Sequence, residues 1–439
     1  MDKKPNIADY FKPLDAIVES SMRLENEAGN EEGSVFKRGF LEQYLNSEEI
    51  NPKKKEWKRF YQLPAIDGLG LSAKPFYKEI DSEEYTKRDS LFAGIVEIYD
   101  GHITLWIEKG LGQQGIRMCQ FEKSISERLI NEEQVNTIKA DNHLDKFGLL
   151  AHGAATHSLW FSIPEDMYID KPFLIRINNN SQSLLTPILI HLSVGKRSSI
   201  KIIIDCKSEN EQKGQSVIAI GLNGFLGEFS SLDYLELQGF NENIHLFPNQ
   251  RFFIETGAKL NYLLVEEGGQ LVKRQMEFQL KGENSDATLS GIYHAGESRQ
   301  FIYNTRQDHL ASNTISNLLF KGVLSKNAYA LWQGNIFVGD GTHGVDGYQM
   351  NRNLLLGENV QAQSIPGLEI LTDDVKCSHG VAMSNIDEDQ LFYLSSRGID
   401  ETTAARLIVG GFIEDGLKRM KDKRLHNYAV RMVGEIGWA

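Results

Sequence analysis

The chain has 439 residues, a net charge of −13, 41% apolar residues and 24% charged residues. Such a composition belongs to an ordinary globular protein with enough chain for a sizeable core, and the surplus of acid argues against a protein that tracks nucleic-acid phosphates. There are three cysteines, Cys119, Cys206 and Cys377, and no CxxC pair, so a disulfide framework is not expected and a reducing compartment is. No run of ~18 apolar residues predicts a membrane span, and the opening MDKKPNIADYFKPLDAIVES carries no apolar leader. Cytoplasmic residence is the expectation. Length alone allows several domains, or one long solenoid.

Residues 1–88 read as helical and charged. Ile7, Phe11, Leu14, Val18 and Met22 line one helix face. Pro13 is a kink or restart within it, and Gly29 is a stop. Val35, Phe36, Phe40, Leu41, Tyr44 and Leu45 form a second periodic piece. Asn51–Pro52 and the run Lys53, Lys54, Lys55 read as a solvated loop before Trp57.

The pattern changes near residue 92. Two β-branched runs, IVEIY and HITLWI, are joined by Asp100–Gly101, which predicts a hairpin because that pair tolerates the positive φ of a type I′ turn. Strand-like pieces then continue to about 372, among them FLIRI, IKIIID, LNYLLVE and MEFQL, with connections such as NNNSQS, EEGGQ and KGENSD. About 280 residues of short strands without helices exceed a simple sandwich and leave a propeller, a double sandwich or a β-solenoid. No WD or kelch signature recurs. A solenoid tolerates the drifting strand spacing, because each turn needs only inward apolar residues at matching positions.

Helices return after 385. Asp387 with Gln390 three residues on resembles a capping box, and Gly398 ends that helix in the left-handed region. Asp400 opens ETTAARLIVGGFIEDGLKRMKDK, whose apolar face holds Leu407, Ile408, Phe412, Leu417 and Met420. Acid at its start and base at its end suit the helix dipole. Gly410–Gly411 costs roughly 1 kcal/mol per glycine against alanine; it either admits another backbone or marks a weak point. The predicted organisation is a helical region 1–88, a β core 89–384 and a helical region 385–439.

Several motifs fall to plain readings. Gly110-Leu-Gly112-Gln-Gln-Gly115 matches GxGxxG but has no βαβ context, so it reads as a turn. His152 and His157 lack zincin spacing and read as core or loop histidines. There is no GxSxG elbow and no GxxxxGK[ST] P-loop. The segment 373–380, Asp-Asp-Val-Lys-Cys-Ser-His-Gly, is different. If it is extended, Cys377 and His379 share a face, ~7 Å apart along the strand. Both suit soft or borderline metals, but two donors are half a site, and a packed thiol beside a capping imidazole is the plainer reading of the spacing. A cluster held wholly by thiolates takes four cysteines, more than this chain has.

Asp-Asp-Val-Lys-Cys-Ser-His-Gly (373–380), Leu-Phe-Tyr-Leu-x-Ser-Arg-Gly-Ile (391–399) and Ala-Arg-Leu-Ile-x-Gly-Gly-Phe (405–412) resemble the SufD family, the D subunits of the SUF iron–sulfur cluster assembly scaffold and paralogues of SufB. Residues 361–370, His309 and Glu56–Trp57–Lys58 are similar to the family too, and the likeness is densest over about 300–415. The resemblance implies a right-handed parallel β-helix between helical ends. It implies a non-catalytic scaffold in complex with a SufB-like paralogue and a SufC-like ABC ATPase, or a homodimer in isolation. No nucleic acid, membrane or tightly bound cofactor is implied, only transient iron or an iron–sulfur cluster. His379, with Cys377 beside it, would serve at the interface with the paralogue. The C-terminal helices, with Arg397, Gly398, Leu407, Phe412 and Leu417, would dock the ATPase. The competing expectation is a β-solenoid that binds or cleaves polysaccharide in a groove of carboxylates and aromatics.

Overall fold

The computed structural model describes residues 7–29, 31–47, 69–79, 91–140, 144–180, 183–208, 214–357 and 359–436, with side chains between residues 12 and 434. Lys53–Lys55 and Glu56–Trp57–Lys58 lie outside them. The elements run α1 (Ile7–Glu27), α2 (Glu32–Asn46), β1 (Gly70–Leu71), β2 (Phe76–Glu79), β3 (Gly94–Tyr99), β4 (His102–Ile107), β5 (Arg117–Cys119), α3 (Phe121–Ser126), α4 (Glu132–Ala140) and α5 (Lys146–Gly153). An unbroken series of strands follows: β6 (His157–Ile163), β7 (Phe173–Asn178), β8 (Leu184–Val194), β9 (Ser199–Lys207), β10 (Ser216–Leu226), β11 (Ser231–Gly239), β12 (Ile244–Ile254) and β13 (Lys259–Glu266). It continues through β14 (Leu271–Leu280), β15 (Asp286–Ala295), β16 (Gln300–His309), β17 (Ile315–Ser325), β18 (Tyr329–Val338), β19 (Val345–Leu356), β20 (Gln361–Ile370) and β21 (Val375–Asn385). The chain closes with α6 (Glu388–Ser396), α7 (Glu401–Leu417) and α8 (Lys423–Ile436).

From β6 onward the chain alternates between two sheets. Even-numbered strands stack in sheet I in the order β20-β18-β16-β14-β12-β10-β8-β6, and odd-numbered strands stack in sheet II from β7 to β21. Every neighbouring pair in these stacks is parallel. Leu271 pairs with Gln300 and Gln300 with Tyr329, so one turn takes 29 residues there. This is a parallel β-solenoid. The predicted hairpin is present as the antiparallel pair β3–β4, but neither Asp100 nor Gly101 takes the positive φ of the expected type I′ turn.

One corner of the solenoid repeats a single backbone device. Asp166, Arg197, Phe229, Gly257, Asn284, Asn313 and Gly344 all have φ between 58° and 66°. The N–H of Phe229 donates to Thr256 O, that of Gly257 to Glu283 O, and that of Asn284 to Ser312 O. Asn, Asp and Gly enter the left-handed region at little cost, which accounts for their abundance in the connections. Phe229 and Arg197 hold the same conformation because the turns above and below impose it.

The interior is apolar in the early turns, built from residues such as Ile175, Ile190, Ile204, Ile218 and Leu232, and becomes polar midway. There Arg274, fully buried, donates to Glu236 at 2.8 Å and to Glu266 at 2.5 Å. Gln250 donates to Glu236 at 2.5 Å, and the Tyr262 hydroxyl donates to Gln250 at 2.9 Å. The outer faces are covered separately. The helices α1–α5 pack on sheet I through Leu14, Phe36, Phe40, Ile138, Leu150 and Phe247. The helices α7 and α8 pack on sheet II through Leu235, Leu263, Ile292, Val409, Ile413 and Leu425. Gly416 permits the close approach of α7, since a Cβ there would lie 3.0 Å from Ile292.

Two expectations are corrected. Strands begin at Gly70, inside the stretch read as helical, and three helices, α3–α5, interrupt the stretch read as free of them. Those helices have only 6, 9 and 8 residues, too short for a period to separate them from apolar strand runs. Asp145 caps α5 by accepting from Gly148 N.

Two predictions follow from the buried charges. Removing the cation with Arg274→Met leaves Glu236 and Glu266 buried without their partner, and urea unfolding is expected to show a loss of about 3–5 kcal/mol. Burial pushes His191 down to about 3 and His245 down to about 4, whereas the unfolded chain protonates them near ~6.5. Their stabilising contribution is complete above that value and is lost as pH falls toward 4, at up to about 1.4 kcal/mol per pH unit for each histidine. Urea midpoints at pH 7 and pH 5 measure this, and His245→Gln is expected to shrink the difference.

Candidate functional site

The solenoid stops at β20 and β21. Each pairs on one side only, with β18 and β19 respectively, so both outer edges carry unpaired backbone groups. Apolar side chains are exposed here as well: Leu368, Ile370, Leu371, Val381 and Met383. The predicted pair lies on this last turn. Cys377 stands over Gly347 and His379 over Gln349 in the β19–β21 register. Gly347 and Gln349 are buried inward positions, Cys377 is half-buried and His379 is exposed. The structure therefore places both residues on one row facing the open end, as the alternation of an extended strand requires.

Cys377 packs against Ile336, Val338 and Val345. Burial raises its pKa, with Asp346 adding to the rise and a hydrogen bond from the Gly347 backbone opposing it. Beneath the pair is a buried polar layer. His309 touches the Thr314 hydroxyl through Nδ1 at 2.7 Å and the Ser316 hydroxyl through Nε2 at 2.7 Å. Burial lowers His309 to about 4, so the ring is neutral at pH 7. Gln349 donates through Nε2 to Gly367 O at 3.0 Å, and its Oε1 is buried without a partner. Among the described residues no group of three or more His, Cys, Asp or Glu could hold a metal ion. The open end thus offers an incomplete set of donors.

The C-terminal helices stand beside this end. Asp387 caps α6 by accepting from Asp389 N and Gln390 N, and Asp400 caps α7 by accepting from Thr403 N. Gly398 has φ +83°, the left-handed stop its position predicts. Arg397 is exposed and lies over the Tyr393 ring at 5.3 Å. Leu407 is 54% exposed, and Phe412 is half-buried with Lys321 over its ring at 4.5 Å. Leu417 differs from expectation. It is 6% exposed and belongs to the contact with sheet II, because its position on α7 faces the solenoid together with Val409 and Ile413. Sequence reasoning missed Phe392 and Tyr393, 76% and 58% exposed on α6. Their signal was present in Leu-Phe-Tyr-Leu, where four consecutive apolar residues cannot all face one side of a helix. Gly410 and Gly411 are exposed, and among the described residues nothing beyond α7's own neighbouring backbone comes within 4 Å of a Cβ at either.

The remaining motifs are structural. Gly112–Gln114 is a single 3-10 turn closed by left-handed Gly115. His152 and His157 are fully buried, His152 bonded to Gly148 O at 2.8 Å and His157 to Tyr99 O at 3.0 Å.

Comparison with known proteins gives this arrangement a context. Residues 175–412 match the family described as SUF system FeS cluster assembly, SufBD core domain. The chain is 27% identical over 267 residues to an iron–sulfur cluster assembly SufBD family protein of Mycobacterium leprae, covering 59% of this chain and 67% of that one. It is 27% identical over 248 residues to the iron–sulfur cluster assembly protein SufD of Escherichia coli, covering 56% of this chain and 57% of that one. A SufBD family protein of Staphylococcus epidermidis is 23% identical over 348 residues, covering 77% of this chain and 72% of its own.

The three thiols differ enough to test the geometry. Cys206 is buried, while Cys119 and Cys377 are half-buried. Burial lifts Cys119 to about 11 and raises Cys377 and Cys206 as well. Iodoacetamide on the native chain is expected to label Cys377 and Cys119 slowly at pH 7 and faster as pH rises. Cys206 is expected to react only after unfolding, as read by peptide mass mapping.

Proposed function

We propose that this chain, which belongs to the SufBD core family of the SUF system for iron–sulfur cluster assembly, is a D-type, non-catalytic scaffold subunit whose open solenoid end is completed by a SufB-like paralogue. One observation carries the reading: Cys377 and His379 lie on the last strand of the stack, at an end with unpaired edges and exposed apolar side chains. Such an edge is suited to receive another chain. A facing subunit would bring the donors that this one lacks. Iron or a nascent cluster is then cargo held between subunits. An imidazole in place of a thiolate raises the potential of a cluster and favours its release.

The chain has no P-loop, so ATP would be hydrolysed by a SufC-like ABC ATPase. Phe392, Tyr393 and Leu407, together with Arg397 and Gly398, form the surface suited to it, and Gly410–Gly411 leaves room for close backbone approach. The helix α7 is tied to sheet II by Lys321, which donates to Phe412 O and Asp415, and the turn after it by Arg419, which donates to Asn317 O at 2.6 Å. Movement of a docked ATPase pair would therefore pull on β17, and through it on β19 and β21. This work belongs in the cytoplasm; no described helix is long and apolar enough to cross a membrane. Membership of the SufBD family outweighs the polysaccharide alternative, which rested on the solenoid alone.

The test is anaerobic affinity capture of the tagged chain from its own host, with identification of what co-elutes. A SufB-like chain and a P-loop ATPase are expected, and His379→Ala in the co-expressed complex is expected to cut cluster yield at least tenfold. Capture of the chain alone, or an unchanged yield, overturns the reading.

A further inference from the structure

A cavity of about 960 Å³ lies beside the early turns of sheet II, where α8 packs on them. Its floor is the outward face of β9, where Ile203, Asp205 and Lys207 follow one another at every second residue, as an extended strand requires. One wall is α8, which presents Tyr428, Arg431 and Met432, a set spaced to share one helix face. Leu91, Phe92 and Pro172 close the other side. In sheet II, β9 stands six strands before β21, roughly 30 Å along the stack at ~4.8 Å per strand. The cavity is therefore separate from Cys377 and His379.

The helix docks through Leu425 and Ala429, both fully buried, and is anchored by Arg424, which donates to Asp170 at 2.5 Å. Toward β9 it carries Tyr428 instead, whose hydroxyl donates to Asp205 at 3.4 Å. Two properties of the lining select a ligand. The first is charge. Lys171, Arg176, Lys207, Arg424 and Arg431 line the cavity against one carboxylate, Asp205, in a chain whose net charge is −13. Three of these cations have partners outside the lining: Lys171 donates to Glu108 at 2.6 Å, Arg176 to Glu97 at 2.8 Å, and Arg424 to Asp170. With those carboxylates counted, one positive charge stays in excess. Burial raises the Asp205 carboxyl, opposed by Lys207, Arg176, the Tyr428 hydroxyl and Arg431, so its negative charge is held at a cost. The second property is shape. Phe92, Ile203 and Met432 give the cavity apolar walls, and Leu91 stays 67% exposed beside them. The volume lies near the top of the ~300–1,000 Å³ range of small-molecule sites, enough for an apolar body rather than a small ion alone.

We propose that this cavity binds a small organic monoanion, its apolar body against Leu91, Phe92, Ile203 and Met432 and its charged group at Lys207 and Arg431. A neutral ligand leaves the excess cation without a partner. A multiply charged one meets repulsion from Asp205 and the carboxylates that hold the other cations. An acyl chain and an aromatic ring both satisfy the walls, and the test separates them.

The probe is 8-anilinonaphthalene-1-sulfonate, titrated into the full-length chain and read by fluorescence. One high-affinity equivalent is expected. N-phenyl-1-naphthylamine, the same rings without the sulfonate, is expected to bind at least tenfold more weakly. Lys207→Gln combined with Arg431→Gln is expected to weaken the sulfonate at least tenfold and to move the neutral probe less than twofold, a split that general destabilisation does not produce. Met432→Trp fills the cavity from the helix and is expected to abolish high-affinity binding, with its urea midpoint as the check on folding; should it unfold, the double variant decides alone. Decanoate and 2-naphthoate then compete with the bound probe. Displacement by decanoate identifies an acyl ligand, displacement by 2-naphthoate an aromatic one, and displacement by both a site that accepts either. The site is overturned if neither displaces the probe, or if charged and neutral probes bind equally. It is equally overturned if the double variant binds the sulfonate as wild type, which places the probe on the apolar side chains exposed elsewhere.

Discussion

Successive turns of this chain must hydrogen-bond in register, strand on strand, through two parallel sheets. Everything else is subordinate to that stacking. It forces the left-handed column of corner residues, so that even Phe229 and Arg197 adopt a backbone that asparagine and glycine hold more easily. It places inward side chains of successive turns above one another, as Gly347 lies beneath Cys377 and Gln349 beneath His379. It also leaves a last turn whose hydrogen-bonding edge has no strand above it among the described residues, and the candidate functional residues are on that turn.

The change of interior from aliphatic to polar follows the same axis. The early turns are filled by isoleucine and leucine. The middle holds the Arg274–Glu236–Glu266 network, a costly arrangement to bury unless each member is paired and hydrogen-bonded. The last turns carry Gln307, His309, Gln349 and Asn351 inward. A stack that begins aliphatic and carries more buried polar side chains toward its last turns has a direction, and Cys377 and His379 lie at its later end.

The helices on the outer faces have separate work. Those packed on sheet I through Phe36, Phe40 and Leu150 cover apolar strand faces. On the other side, α7 buries Val409, Ile413 and Leu417 while leaving Leu407 in solvent. On α6, Phe392 and Tyr393 are exposed as well. The helix α7 is thus tied firmly to sheet II on one side while it keeps apolar side chains in solvent on another.

Much of this was legible in the residues alone. Alternation and β-branching marked the strands, Asp100–Gly101 the hairpin, and Asp387, Gly398 and Asp400 the helix ends, because these are local effects of sterics and capping within a few residues. The Cys-Ser-His spacing likewise assigned Cys377 and His379 to one face. Helices of six to nine residues, such as α3–α5, were not legible, since so short an apolar run has no decisive period. Nor could local pattern show that Leu417 turns inward while Phe392 turns outward, which depends on where sheet II lies. The tertiary structure alone decided that Cys377 would stand over Gly347 and His379 over Gln349, each 30 positions earlier in the chain. That meeting is made by register between turns, a long-range property that no local periodicity encodes.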